Sequence, residues 1–251
     1  MYSFLAGQPG VRRARSKEVH YFDKGPNYSR GPGWYRAHFD LDTRRQRGAR
    51  EWVTGEASPF YLFHPCVPAR VAELVPDVLL IAILRNPVDR AISGYHHAVR
   101  RGVERRSIEA AFKDELAIPE LRGCEAFDDP DGYCRDHTYL ARGRYAEQLE
   151  RWFHLFPREQ ILLLDAASLY ANSDAVLADV GAFLGLRGGG GTNTALSWYN
   201  QGSYAPAATN MRSWLADYFR PHNERLWALL NERWNWETDE AGDRHPERAE
   251  G

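Results

Sequence analysis

The stretch "VLLIAILRNPVDRAISGYHH", residues 78–97, decides the fold. Val78 to Leu84 is an unbroken apolar run, too short for a membrane span. It reads as a strand covered by helices on both faces of a parallel sheet. Asn86 then offers an N-cap, Pro87 suits the first helical position, and Asp89 puts a negative charge in the first turn. Gly102 supplies a stop after Arg100 and Arg101. The local order is therefore strand, sharp turn, helix, with Arg85 at the carboxyl end of the strand, where open α/β sheets bind ligands. Ser93 shares a helix side with Asn86 and Arg90. Arg85 and Ser93 could converge on one anion; an ion pair of Arg85 with Asp89 or a neighbouring carboxylate fits the same spacing, which does not separate the two.

Working outward, strands and helices alternate. A helix fragment at the start ends at Gly7, and another spans roughly 32–39. Trp52 to Glu56 reads as a short strand and Pro68 to Leu74 as a helix. Tyr145, Leu149, Trp152 and Phe156 form one stripe of a long helix stopped by Pro157. "ILLLD" at 161–165 reads as a second buried strand, Ser173 to Leu184 as a helix closed by Gly185, and two aromatic-rich helices flank Pro221. Trp152, Trp214 and Trp227 are expected in the core. This alternation favours one α/β domain with a largely parallel sheet flanked by helices. "GGGG" at 188–191 looks like a linker, and the domain is expected to run over residues 1–237, with a disordered tail at 238–251.

The 251 residues are 43% hydrophobic and 26% charged, ordinary for a globular protein with a full core. A formal net charge of −2 gives no global basic field for nucleic acid. The basic runs at Arg12–Arg15, Arg44–Arg50 and Arg100–Arg106 are solvated faces or local attractors of an anion. Three cysteines, Cys66, Cys124 and Cys134, are too few for a disulfide framework. A Cys124–Cys134 bridge is open, and reduced thiols are the expectation. No apolar run of 18 residues and no secretory leader pattern occur, so a cytoplasmic location is expected. There is no G-x-x-x-x-G-K-[ST], no G-x-G-x-x-G after a strand and no G-x-S-x-G. The histidines lack metal-ligand spacing, so no metal is expected.

Chemistry concentrates in "RSKEVHYFDKGPNY", residues 15–28. If this stretch is extended, Glu18 and His20 face the same side, a carboxylate beside an imidazole, suited to general-base work. An exposed edge strand of alternating charge has the same appearance. "GEASPFYLFHP" at 55–65 is a small-residue turn, where Gly55 and Ser58 would let backbone approach a ligand. "NQGSYAP" at 200–206 is a glycine turn able to close over a nucleotide.

Taken together and in order, "KEVHYFD", "GEASPFYL", "ILRNPVDRAISGYHH", "YAEQLERWFHLFP" and "QGSYAP…YFRPHNERLWALL" resemble the sulfotransferases of the heparan-sulfate type, which use 3′-phosphoadenosine 5′-phosphosulfate (PAPS). The resemblance runs from the first helix to about Trp236. It implies a P-loop-like sulfotransferase fold, PAPS as co-substrate without a metal, and a carbohydrate hydroxyl or amine as acceptor. It implies that Arg85 and Ser93 grip the 3′-phosphate, and that Gly202 and Tyr204 lie in a loop closing over the cofactor. Glu18 corresponds to the general base, with His20 beside it, and Lys17 and Asp23 fall on the acceptor side. Gln201 and Ala57 stand where relatives carry lysine. Such proteins open with a strand and a G-x-x-K-G-G-T-like loop holding the 5′-phosphosulfate. Here the likeness starts inside the following helix, so the expectation is an N-terminally truncated domain with a misassigned start at Met1, poorly stable and inactive. The rival expectations are a non-catalytic sulfotransferase-like module binding nucleotide or glycan, and a nucleotide kinase, which the missing Walker lysine disfavours.

Overall fold

A computed structural model describes residues 1–40, 52–118, 133–186 and 209–236. In chain order the elements are α1 (Tyr2–Leu5), β1 (Val11–Arg13), α2 (Gly25–Tyr28), α3 (Gly31–Arg36), β2 (Val53–Gly55), α4 (Val67–Leu74), β3 (Leu80–Leu84), α5 (Pro87–Arg100), α6 (Ile108–Ala117), α7 (Tyr133–Asp136), α8 (Tyr145–Leu155), β4 (Ile161–Asp165), α9 (Ala166–Ala171), α10 (Ser173–Phe183) and α11 (Thr209–Leu230). Both strand pairings are parallel. β1 lies against β2 with Val11 opposite Val53, and β3 against β4 with Leu80 opposite Ile161 and Leu84 opposite Asp165. The alternation read from the sequence is thus an α/β fold. The expected single sheet is two parallel pairs among the described residues.

The strand–turn–helix unit forms as its residues dictate. Asn86 Oδ1 accepts from Val88 N at 3.0 Å, capping α5, while Gly102 takes a φ of 73° just past its end, a conformation that costs glycine little. Among the described residues β3 is covered unevenly, with Ile83 its one exposed position. Leu84 is buried, but Leu79 and Ile83 are 39% and 38% exposed. A run of apolar residues reports hydrophobic content, not how many helices cover it.

Four buried clusters hold the elements. One joins Val88, Ala91 and Ile92 of α5 to Phe112 of α6 and to Leu215 and Phe219 of α11. A second gathers Val19, Tyr21 and Phe22 against Val67 and Val71 of α4 and Trp152 of α8. The third packs Leu84, Tyr145, Leu149 and Leu226 with Trp234 and Trp236, and the fourth is Phe60, Phe63 and Cys134. Trp152 and Trp227 are core residues as expected, whereas Trp214 is 40% exposed. The two helices expected around Pro221 are one, α11, with the proline inside it. Leu215, Phe219, Leu226 and Trp227 bury one stripe along its length, and that burial outweighs the hydrogen bond a proline removes.

Cys66 is disulfide-bonded, so the expectation of reduced thiols fails there. The buried Cys134 keeps its thiol, which excludes a Cys124–Cys134 bridge. The linker at 188–191, the tail at 238–251 and the basic run at 44–50 lie outside the described residues.

Candidate active site

Residues 14–23 form no strand, so their backbone groups need other partners. The segment leaving β2 supplies them. Glu56 Oε2 accepts from Val19 N at 2.9 Å and from the Ser58 hydroxyl at 2.7 Å, while Oε1 accepts from the Tyr61 hydroxyl at 2.8 Å. Ser58 Oγ in turn accepts from His20 N at 3.2 Å, and the Tyr61 oxygen accepts from Tyr21 N at 2.9 Å. Asn27 Nδ2 donates to the His20 carbonyl at 2.9 Å. Burial, then the neighbouring Glu56 carboxylate, pushes the Tyr61 phenol far above its ordinary value, so it stays a donor. Ser58 is buried and serves as a brace, not as an opening for a ligand. Glu56 is the residue that the sequence reading missed; its signal was an acid set among small and aromatic residues in "GEASPFY".

This bracing holds His20 at a φ of 53°, a left-handed conformation that is uncommon for a non-glycine residue, though histidine is among those enriched there. The expected extended geometry is therefore wrong. The expected meeting of Glu18 and His20 occurs all the same, by a different backbone path. Glu18 Oε2 lies 3.3 Å from His20 Nε2, and Glu18 Oε1 lies 3.3 Å from Lys17 Nζ. His20 Nδ1 lies 2.8 Å from Asp23 Oδ2. The Asp23 side chain has no exposed surface, and Arg135 Nη2 of α7 stands 3.8 Å from its Oδ2. Lys17, Glu18, His20, Asp23 and Arg135 thus form one string of ionisable side chains, open to solvent at the Lys17–Glu18 end, where they are 53% and 38% exposed.

Arg85 sits where β3 ends. Its carbonyl accepts from the Tyr145 hydroxyl at 2.8 Å, and burial pushes that phenol up to about 12. Its side chain is 50% exposed, with Asp89 Oδ2 3.9 Å from Nη2. Both readings of this arginine meet in that geometry: the ion pair exists, and it is loose enough to leave donors for an anion. Asn86 Nδ2 donates to the Trp236 carbonyl at 2.9 Å, and Trp236 Nε1 donates to Asp165 Oδ1 at 3.0 Å, so the C-terminal strap of the described chain ties the ends of β3 and β4. Ser93 is half-buried on α5. Arg90, on the same helix side, is used structurally, with Nη1 donating to the Tyr139 carbonyl at 2.8 Å.

The structure therefore brings Lys17, Glu18, His20 and Asp23 together. It places Arg85 and Ser93 on a separate unit, and among the described residues no hydrogen bond or ion pair links the two groups. Leu62 packs against the core clusters beneath both. Gly202 and Tyr204 lie outside the described residues. Among the described residues, several arginines of the runs at 12–15 and 100–106 are engaged elsewhere. Arg12 stacks over Trp52 at 3.9 Å, Arg101 pairs with Asp136 at 3.1 Å, and Arg106 pairs with Glu104 at 2.6 Å. Among the described residues no three His, Cys, Asp or Glu side chains gather to hold a metal.

Parallel strands alternating with helices, with an arginine where a strand meets a capped helix, make this an α/β protein of the sulfotransferase fold. The chain belongs to the sulfotransferase domain family, whose model matches residues 5–194. A crystal structure of a sulfotransferase from Alicyclobacillus acidocaldarius is similar with a TM-score of 0.66 and 27% identity, covering 94% of this chain and 92% of that one. Among curated relatives, the bifunctional heparan sulfate N-deacetylase/N-sulfotransferase 2 of Bos taurus is 28% identical over 92% of this chain and 28% of its own length. The heparan sulfate glucosamine 3-O-sulfotransferase 5 of Mus musculus is 33% identical over 71% of this chain and 47% of its own. The membrane-associated sulfotransferase kil1 of Dictyostelium discoideum is 23% identical over 94% and 63% respectively. The chain thus spans only part of the curated relatives it matches. No helix among the described residues is long and apolar enough to cross a membrane.

Proposed function

We propose that the chain transfers a sulfuryl group from PAPS to a hydroxyl or amine of a carbohydrate acceptor. The observation that carries this reading is the Lys17–Glu18–His20–Asp23 string in a member of the sulfotransferase family. The acceptor class is supported by the relatives named for heparan sulfate. In the step, an acceptor oxygen or nitrogen attacks sulfur, and the bond from sulfur to the 5′-phosphate oxygen breaks. Adenosine 3′,5′-bisphosphate leaves with that electron pair, and the acceptor proton passes to Glu18. As in phosphoryl transfer, positioning and charge neutralisation supply most of the acceleration.

Glu18 is suited to the base role because its carboxylate is partly exposed and held between Lys17 and His20. Lys17 and His20 orient it, and when Nδ1–H of His20 is donated to buried Asp23, Nε2 keeps its lone pair toward Glu18. A proton taken up by Glu18 then has an acceptor beside it. Asp23 and Lys17 border the acceptor side. Arg85, through the fork of its half-exposed side chain, and Ser93 hold the 3′-phosphate, and Gly202 and Tyr204 belong to the same cofactor site.

The test is incubation with sulfur-labelled PAPS and a glycan panel. Transfer to at least one glycan is expected and would overturn the expectation of an inactive chain, and Glu18→Gln should lower turnover by about 10²–10⁴-fold, the range of a positioned base, with affinity for adenosine 3′,5′-bisphosphate within a few fold. Near-normal turnover in Glu18→Gln removes Glu18 from the role. Nucleotide binding with no transfer to any glycan favours the non-catalytic module.

A further inference from the structure

Asp89, in the first turn of α5, faces two guanidinium groups on different elements. Its Oδ2 lies 3.9 Å from Arg85 Nη2 at the end of β3, and its Oδ1 accepts from Arg212 Nη2 of α11 at 2.9 Å. The side chains of Arg85, Asp89 and Arg212 are 50%, 28% and 27% exposed, so the group is reachable from solvent. One carboxylate cannot saturate two guanidinium forks, each carrying five N–H donors. Among the described residues Arg212 makes this one side-chain hydrogen bond and Arg85 makes none. The three charges leave a net positive charge beside the N-terminus of α5, whose dipole adds to it.

The placement of Arg212 is fixed by packing. Leu215 and Phe219, one and two turns further along α11, have no exposed surface and lie against Ala91 and Ile92 of α5. That contact sets the start of α11 beside the start of α5, and Asp89 then aligns the arginine.

We propose that Arg212 is a second guanidinium for the 3′-phosphate of the donor nucleotide, held beside Arg85 by their shared carboxylate, Asp89. This rests on the reading of Arg85 as a 3′-phosphate residue and deepens it. A phosphate dianion with three acceptor oxygens matches two forks better than the single carboxylate does. The C-terminal helix thereby takes part in recognising the nucleotide.

The measurement is calorimetric affinity for adenosine 3′,5′-bisphosphate and for adenosine 5′-phosphate, compared as a ratio in wild type, Arg85→Ala, Arg212→Gln and Arg212→Lys. The ratio isolates the 3′-phosphate, which a merely structural salt bridge would not. Wild type should prefer the bisphosphate, and Arg85→Ala and Arg212→Gln should each cut that preference about ten-fold or more, the effect of one charge-assisted fork. Arg212→Lys keeps the cation and loses the fork, so its preference should fall by a smaller factor. If Arg85→Ala lowers the preference and Arg212→Gln weakens both ligands equally or neither, the proposal is overturned while the reading of Arg85 stands. A wild-type preference in Arg212→Lys overturns it even where Arg212→Gln does not fold. If wild type shows no preference, or Arg85→Ala leaves it unchanged, the reading of Arg85 fails and this inference fails with it.

Discussion

Glu56 receives three hydrogen bonds, from Val19 N, Ser58 and Tyr61, and through them fixes the loop carrying Glu18 and His20. Glu56→Gln keeps the shape but puts an amide donor where an acceptor is needed, leaving at least one partner unbonded. The expected cost is about 1–3 kcal/mol in thermal or denaturant unfolding. A fall in turnover at unchanged affinity for adenosine 3′,5′-bisphosphate should accompany it, because Glu56 touches the loop and not the nucleotide unit. Unchanged unfolding and unchanged turnover would show that the loop holds its shape without this carboxylate. The residues of the acid–imidazole string were legible in "KEVHYFD" because their chemistry is local. Glu56 was not, since its partners are separated from it by up to 37 positions and its role exists only once the loop folds against the exit of β2. Arg135, facing Asp23 from α7 across more than a hundred positions, escaped for the same reason.

The elements carrying Arg85 depend on one close approach. Gly143, just before α8, sits where a Cβ would lie 2.6 Å from Phe219 Cε1, 2.8 Å from its Cζ and 3.0 Å from Pro87 Cβ. Phe219 has no exposed surface, so it cannot swing away. Gly143→Ala should therefore overpack the junction of α5, α8 and α11, at a cost of about 1–3 kcal/mol. Because Pro87 opens α5, the strain should also reach the Arg85 turn and weaken bisphosphate binding. Melting and binding both equal to wild type would show that the junction has room. Elements with punctuated ends were readable: Asn86, Pro87 and Gly102 bound α5, and the stripe of Tyr145, Leu149 and Trp152 marks α8. α6 was not among the expected elements, although Ser107 caps it by accepting from Ala110 N at 3.3 Å. α11 was expected as two helices because proline is a local breaker, while the burial that keeps α11 whole is a tertiary fact.

Across the whole molecule, buried ionisable groups tie the helices together and give its stability a pH dependence. Glu104, 4% exposed, takes hydrogen bonds from the side chain of Arg106, from the backbone of Arg105 and Arg106, and from the Tyr139 hydroxyl at 2.9 Å. Burial works against its charge, but these donors outweigh burial and hold the carboxyl well below the usual carboxylate range. Glu115 is the opposite case. Burial raises it despite donation from the backbone N–H groups of Tyr139, Leu140 and Ala141, so its ionised form costs stability at neutral pH. For Glu104 the folded state stays ionised at pH values where the unfolded chain, with glutamate near about 4.3, takes up a proton. The unfolded state then binds more protons, and stability falls as pH drops below that value towards the lowered folded value. Glu104→Gln should destabilise the protein at neutral pH, because an amide cannot accept all of those donors. It should also flatten the acid limb of a stability–pH curve measured by denaturant unfolding between about pH 5 and pH 2. An acid limb of unchanged slope in that variant would assign the loss to other carboxylates and remove Glu104 as the group that sets it.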